Sequence, residues 1–476
     1  MELRASRIGL AYCPDWPCRR GPLPAISGRA PKPPLERARP VSNGASPDPL
    51  FAPGFKLTPY WWDGVPPADL GQPALPARAE VAVIGSGYTG LHAALQLARG
   101  GRHTVVLDAE QAGWGCSTRN GGQISTSIKP GFAELSRRHG EDHAFRILSE
   151  GQRSLEWFGA FVAAEGIDCG FRVCGRFHAA HSPKQYELLA RQADSQPKGL
   201  EMPVEVVPRA EQHRELGTDA YFGGVVYKRH AVVDTGRYHR GLLDRACAAG
   251  ATVIPHCAVT ALEKDGDDFR LTTPRGVILA RKVVVATNGY TGRITPWLRR
   301  RVIPIGSYII ATEALPPDLM ARLMPKERIV SDTRKVVYYY RASPDRRRIL
   351  FGGRVSHAET DPRVSGPKLH AEMTWIFPEL AQTKITHSWV GFIAYTFDEL
   401  AHIGERDGLH YAMGYCGSGV GMASYLGMRL GQQVLGLKEG GTALDGVRFQ
   451  TRPFYTGNPW FLAPSIRYYR WRDSRS

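Results

Sequence analysis

The segment from Val81 to Gln123, VAVIGSGYTGLHAALQLARGGRHTVVLDAEQAGWGCSTRNGGQ, constrains the fold more than any other part of the chain. An apolar strand ending at Ile84 runs into Gly85-Ser86-Gly87-Tyr88-Thr89-Gly90, a helical pattern follows, and a second apolar strand ends at Asp108. The three glycines have separate tasks. Gly85 allows a sharp turn, Gly87 allows backbone to approach a pyrophosphate, and Gly90 allows the helix to pack on the strand. The helix N-terminus offers free N–H groups and the positive end of a dipole to phosphate. Asp108, followed by Ala109, lies where an acid binds ribose hydroxyls. Strand, glycines, helix and acid occur in the order of a dinucleotide site, which predicts a Rossmann-type α/β unit holding an ADP-containing cofactor.

The rest of the chain limits what surrounds that unit. With 476 residues, 43% apolar and 22% charged, it is long enough for two intertwined domains. No run of about 18 apolar residues suggests a membrane span. The eight cysteines lack the short paired spacing with His of a zinc site and the density of a disulfide scaffold, so no metal and a cytoplasmic location are expected. The formal charge of +16 lies partly in the two basic ends. It carries no nucleic-acid module, while the aromatic C-terminus RYYRWRDSRS leaves peripheral membrane contact open. Residues 1–54 are rich in Pro, Arg, Ala and Gly and are expected to be disordered. Arg19-Arg20 is not followed by the apolar region of an export signal. The aromatic run Tyr60-Trp61-Trp62 is expected to bury an arm against the domain or to meet a partner subunit.

Apolar periodicity predicts helices over 141–165, 183–196, 235–249 and 422–435. Strands are predicted over 171–180, 221–233, 252–263, 269–279, 302–312, 335–342, 348–353 and 388–395. The β-rich part reads as a substrate domain (131–204 and 301–395) inserted into a discontinuous cofactor domain (55–130, 205–300 and 396–476). Tyr338 and Tyr340 alternate onto one strand face and are candidates to flank an amine. Tyr308 is a candidate of the same kind, and Arg354 is a candidate to hold a substrate carboxylate.

Three patches together resemble the D-amino-acid oxidase, glycine oxidase and sarcosine oxidase superfamily of flavoproteins. The first is Gly113 to Gln123, GWGCSTRNGGQ; the second is Val283 to Gly292, VVVATNGYTG; the third is Tyr411 to Gly421, YAMGYCGSGVG. The segments IGSYIIATE (from Ile305), YRASPDRR (from Tyr340), FGGR (from Phe351) and WVGF (from Trp389) are similar to the gamma-glutamylputrescine oxidoreductase branch. The likeness covers roughly 60–471 and departs from the usual pattern at Asp108, where Glu is customary, and at Cys116, where Ala is customary. Cys116 reads as a packing residue.

The resemblance implies FAD, with contacts from Ser117, Arg119, Asn120, Gly121, Gly122 and Gln123, from Val259, from Ala286, Thr287 and Asn288, and from Gly417, Ser418, Gly419, Val420 and Gly421. It implies an α/β fold with a Rossmann-type FAD-binding domain and an inserted β-rich (α+β) substrate domain. It also implies oxidation of an amine C–N bond by hydride transfer to flavin N5, giving an imine that hydrolyses to an aldehyde. Oxygen and a quinone or other carrier both stay open as acceptor, because no lysine is identifiable beside the flavin from sequence. A D-amino-acid or glycine/sarcosine-type dehydrogenase, an RNA-linked flavoprotein and a non-catalytic flavin scaffold are the competing readings.

Overall fold

In the computed structural model, which describes residues 49–354 and 360–475, the apolar run before the glycines is strand β2 (Arg78–Ile84). It pairs in parallel with β3 (Thr104–Leu107) on one side and with β13 (Gly276–Val285) on the other. β10 (Thr252–Ile254) extends the sheet beyond β3, also in parallel. On the far side, β12 (Asp268–Thr273) and β20 (Leu409–Met413) both pair with β13, and β11 (Ala261–Asp265) and β19 (His402–Arg406) complete eight strands. Side chains of β2 bury alternately into two cores. Val81 and Val83 meet the helices, while Ala82 and Ile84 meet Val105, Leu107, Val283 and Val285. Burial on both faces is why this strand reads as an unbroken apolar run.

The helical side is built by α2 (Tyr88–Arg99), α4 (Glu141–Ala164), α6 (Thr235–Ala248) and α10 (Gly419–Leu435) around Leu91, Leu95, Phe158, Leu242 and Leu426. α10 lies against α2 through glycines. A Cβ on Gly427 would stand 2.6 Å from the Thr89 carbonyl oxygen, and one on Gly431 would stand 2.9 Å from that of Ala93.

The second sheet has nine strands: β1 (Phe51–Lys56), β18 (Ile385–Tyr395), β14 (Ile303–Thr312), β17 (Ile349–Gly353), β16 (Tyr339–Ala342), β15 (Ile329–Asp332), β6 (Arg176–Ala179), β8 (Gly224–Tyr227) and β7 (Val204–Val207), in that order. One face packs against α8 (Pro317–Leu323) and α9 (Pro362–Ile376) around Phe177, Ile310, Phe351, Met373 and Phe377. The other carries Ile309, Leu350 and Trp389 against Trp61. Three two-residue strands, β4 (Gln123–Ile124), β5 (Arg172–Val173) and β9 (Ala231–Val232), form a small third sheet; β4 and β5 flank the fingerprint loop and β6 in sequence.

The remaining helices are α1 (Trp61–Gly64), α3 (Phe132–His139), α5 (Pro183–Asp194), α7 (Pro296–Arg299) and α11 (Leu462–Asp473). No described helix is long and apolar enough to cross a membrane.

Several expected boundaries shift. Phe51–Lys56 is a strand paired with β18, so the expected tail does not run to residue 54; residues 1–48 lie outside the described residues. Residues 205–227, expected in the cofactor domain, supply most of β7 and all of β8 to the nine-stranded sheet. Conversely α4, expected in the substrate domain, joins the core of α2 and α10. Long expected strands are broken: 171–180 splits at Cys174-Gly175, and 221–233 splits at the Lys228–His230 turn. Residues 269–279 span two antiparallel strands, because the Thr273–Gly276 turn reverses the chain. The C-terminal segment folds as α11 with Ile466 buried.

The α2–α10 contact yields a test. Gly427→Ala places a methyl against backbone that cannot yield, a cost of about 1–3 kcal/mol for overpacking. The variant should unfold at a lower temperature than the native protein in a thermal melt followed by circular dichroism.

Candidate active site

The first turn of α2 is pressed onto the end of β2. A Cβ on Gly90 would lie 1.9 Å from the Gly85 carbonyl oxygen, so no larger residue fits. Gly85 itself has φ +105°, in the region that glycine enters without strain, and a Cβ there would be 3.0 Å from Ala286 O. The chain at Ala286-Thr287-Asn288 therefore crosses directly beside the turn, with Ala286 N donating to Ile84 O at 2.9 Å. Asn288 then ties this crossing to β20, its Oδ1 accepting from Gly414 N at 2.9 Å.

Gly87, the residue before α2, caps the helix with no side chain, and a Cβ there would meet only Ser117 Oγ, at 2.9 Å. Ser117 Oγ accepts from Tyr88 N at 3.0 Å. One helix-start amide thus meets a hydroxyl supplied by the second glycine-rich loop. This is a cradle of the shape a pyrophosphate requires, since any side chain at Gly87 would fill it.

Asp108 is half-buried at the end of β3. Its Oδ2 accepts from Ser86 N (2.8 Å) and Ser86 Oγ (2.6 Å), and its Oδ1 accepts from Glu110 N (3.0 Å). Burial raises its pKa, opposed by the Ser86 hydroxyl. Oδ1, with a single donor, keeps acceptor capacity for a ribose hydroxyl. Ala109 is exposed beside it. Val259 follows β10, whose partner β3 ends at Leu107 just before Asp108, and Cys257 N donates to Asp108 O at 2.7 Å. Strand ends, amides and acid together fit the adenosine diphosphate half of FAD.

The loop from Cys116 to Gly122 is held by three indoles. Trp61 Nε1 donates to Asn120 O (2.9 Å), Trp62 Nε1 to Thr118 Oγ1 (3.0 Å) and Trp389 Nε1 to Arg119 O (3.0 Å). Tyr60-Trp61-Trp62 therefore buries an arm against its own chain. Asn120 reinforces the loop, its Nδ2 donating to Cys116 O and Ser117 O and its Oδ1 accepting from Gly122 N. The guanidinium of Arg119, expected at the cofactor, is committed elsewhere. Its Nε donates to Trp114 O at 2.7 Å, and it lies over the rings of Trp114 (4.5 Å) and Trp62 (5.1 Å). Buried Arg341 pins Gly122 from the nine-stranded sheet by donating to Val233 O and Gly122 O. Gln123 Nε2 reaches Tyr340 O at 3.4 Å. Burial pushes the Cys116 thiol up to about 12, which leaves it unreactive and agrees with a packing role.

At the other end of the cleft, Gly417 (φ +95°) and Ser418 precede α10, and Ser418 Oγ donates to Ser127 O at 2.8 Å. Gly421 packs on Ile124 and Val420 is buried. What stands beside this helix start has no signal in the sequence pattern. Lys129 has its ammonium 5.2 Å from the Tyr395 ring centre, and its Cε is 3.9 Å from where a Gly417 Cβ would be. Burial pulls the Lys129 pKa down, but the Tyr395 hydroxyl and Glu399 outweigh it, so the ammonium stays charged.

Of the expected substrate residues, Tyr308, Tyr338 and Tyr340 are gathered in one apolar core and not at the fingerprint loop. Tyr338 and Tyr340 do share a strand face, but it is the face buried against α9; Tyr340 stacks on Phe351, and its hydroxyl meets that of Tyr221 at 3.3 Å. Tyr308 lies in the same core, and its hydroxyl accepts from Thr360 N at 2.8 Å. Arg354 is buried, with Nη1 donating to Gly306 O at 2.7 Å. The tyrosine that faces the fingerprint loop is Tyr339. A Cβ on Gly121 would be 3.2 Å from its ring, and its hydroxyl shares a 2.7 Å hydrogen bond with Ser307.

Comparison with known proteins agrees with this geometry. A family model described as FAD dependent oxidoreductase (DAO) matches residues 80–433. The chain is 31% identical over 403 residues to gamma-glutamylputrescine oxidoreductase of Escherichia coli (strain K12), covering 83% of this chain and 92% of that protein. It is 30% identical over 436 residues to a protein named "Probable oxidoreductase OrdL" from Rhizobium meliloti (strain 1021), covering 89% and 98%. The crystal structure of glycine oxidase from Geobacillus kaustophilus superposes with a TM-score of 0.65 at 20% identity, over 79% of this chain and 99% of that one.

Histidine burial around the cleft gives a pH test. His239 Nε2 lies 2.8 Å from Ser86 O, and burial lowers its pKa to about 4; burial lowers His92 to about 3 and His178 to about 4. A folded pKa below the unfolded value near 6.5 means the unfolded chain takes up protons first. Stability is therefore full above about pH 6.5 and falls as pH drops toward 4, by up to roughly 1.4 kcal/mol per pH unit for each histidine. Thermal melts of the FAD-bound protein from pH 7.5 to 5 should show the midpoint falling steadily below pH 6.5.

Proposed function

Because the chain belongs to the FAD dependent oxidoreductase (DAO) family, whose FAD enzymes act on amines or amino acids, we propose that it oxidises the C–N bond of gamma-glutamylputrescine or a closely related acylated polyamine. The observation that carries this reading is the 31% identity to gamma-glutamylputrescine oxidoreductase across 92% of that protein. Bound FAD supplies the two-electron acceptor, and the chain supplies position and electrostatics. Gly85, Gly87, Gly90, Ser86, Ser117 and Asp108 hold the ADP half, and the α10 N-terminus with Lys129 presents positive charge at the opposite end of the cleft.

Tyr339 is the substrate-facing tyrosine. Ser307 fixes its hydroxyl, and burial keeps the phenol protonated well above its ordinary range, so it orients an amine rather than removing a proton. The Lys129 ammonium disfavours a second cation in the same space, which favours the neutral amine, the form that can lose electrons from its neighbouring carbon. The free thiols at Cys116, Cys169, Cys174, Cys247, Cys257 and Cys416 suit a reducing compartment such as the cytoplasm.

The experiment is anaerobic bleaching of the bound flavin by gamma-glutamylputrescine, compared with putrescine, sarcosine, glycine and D-alanine. Gamma-glutamylputrescine should bleach fastest at equal concentration. Preferential bleaching by glycine or D-alanine would replace the proposed substrate with an amino acid. Peroxide formed on admitting air identifies oxygen as acceptor, and turnover only with an added quinone identifies a carrier.

A further inference from the structure

β6 carries an alternating pattern whose two halves meet different surroundings. Phe177 and Ala179 are fully buried in the core against α9. Arg176 and His178, between and beside them, therefore point to the opposite face of the sheet. That face also carries Tyr339 over Gly121, and the ladders align the two regions: Tyr339 is paired with Ser331, and Ser331 with His178. His178 Nδ1 and Ser331 Oγ are 2.9 Å apart. From the opposite side, Thr126 Oγ1 approaches His230 Nε2 at 3.3 Å, and the charge of Lys129 is felt at His178. Tyr227, opposite Arg176 in the ladder, stacks on His230 with ring centres 5.1 Å apart.

Within this polar wall Arg176 stands out. Its Nε is buried with no hydrogen-bond partner, and no acidic side chain among the described residues forms an ion pair with it. The nearest electrostatic partners are the Tyr227 phenol and the Cys174 thiol, both neutral at physiological pH. Burial lowers the guanidinium pKa only to about 10, so it stays cationic. The residue as a whole is half-buried, and its buried Nε has given up water without gaining a partner, a cost that a bound anion offsets. The other arginines that reach the cleft are already committed: Arg341 to Val233 O and Gly122 O, and Arg119 to Trp114 O.

We infer that Arg176 is the specificity residue of this site and binds a carboxylate that the substrate carries far from the C–N bond being oxidised. This rests on the proposed reading that oxidation takes place beside Tyr339 and the Cys116–Gly122 loop. Two strand spacings separate Tyr339 from His178, and Arg176 lies two residues further along the strand. The backbone positions are thus roughly 12 Å apart, by strand spacing and rise. An α-amino acid places its carboxylate on the carbon that reacts and cannot span that distance. An extended chain with an amine at one end and a carboxylate at the other does span it, as in an amino acid joined through its side chain to a diamine. The guanidinium fork suits a two-point contact with such a carboxylate.

The test uses the FAD-bound protein and a ligand series, the ω-amino acids from 4-aminobutyrate to 8-aminooctanoate, with n-butylamine as the ligand that lacks a carboxylate. Binding is followed by perturbation of the flavin absorbance. Native affinity should rise with chain length. Arg176→Met should weaken the long ω-amino acids by about tenfold to a hundredfold while leaving n-butylamine and flavin content unchanged. Arg176→Lys, which keeps the charge without the fork, should lose severalfold. If Arg176→Met does not load FAD, Arg176→Lys decides alone, and unchanged affinity in a fully loaded Lys variant overturns the inference. It is also overturned if native protein binds short and long members alike, or if Arg176→Met weakens n-butylamine equally. Should gamma-glutamylputrescine fail to bleach the native flavin while the ω-amino acids still depend on Arg176, the proposed substrate falls and the anchor stands.

Discussion

Contact between two stretches of backbone, where the start of α2 presses on the end of β2, sets the terms for the rest of this molecule. The Gly90 Cα and the Gly85 carbonyl are so close that a single added carbon would overlap. That approach aims the first turn of α2 along the strand ends, where the Ala286–Asn288 crossing, the Asp108 carboxylate and the Ser117 hydroxyl converge. α10 repeats the device, seating Gly427 and Gly431 on the backbone of α2. Two helix N-termini are thereby fixed toward one cleft. A site for a large anionic cofactor follows from packing glycine against backbone, before any charged side chain is considered.

The second constraint is the division of labour between the two faces of the nine-stranded sheet. One face is a conventional apolar core against α8 and α9. The other is polar in patches: Ser307, Tyr339, Ser331, His178 and Arg176 lie along it, and Trp389 pins the fingerprint loop. Buried histidines near the cleft are held neutral, whereas Lys129 and Arg176 keep their charge. With the proposed function, fixed cations beside neutral imidazoles would suit ligands that are anionic at one end and uncharged at the reacting end.

Much of this was legible in the sequence. The fingerprint works as a local signal because each glycine answers a local steric demand; its order with Asp108 implied a Rossmann-type unit and an ADP-containing cofactor, and the resemblance of three patches implied FAD. The parity of the tyrosine strand was not legible. In VVYYYRA, Tyr338 and Tyr340 alternate correctly, but a period of two does not say which face meets the cofactor domain; the pairing of Tyr339 with Gly352 and Ser331 does. Arg341, two residues beyond Tyr339, was the available hint, since a buried arginine prefers the polar face. Arg176 was hidden for a similar reason, within a short strand that the Cys174-Gly175 break separates from its apparent continuation. Nor does periodicity record that β7 and β8 join the large sheet, which they reach only by long-range pairing.

Gly87→Val blocks the cradle at the α2 N-terminus and little else. Gly87 has ordinary extended backbone (φ −75°, ψ −176°), and the only atom a Cβ would crowd is the Ser117 hydroxyl, so the chain should fold. The added side chain fills the space at the α2 N-terminus that a pyrophosphate needs. The variant should have native circular dichroism, lack visible flavin absorbance and take up no FAD on titration. A folded Gly87→Val protein carrying a full complement of FAD would contradict it.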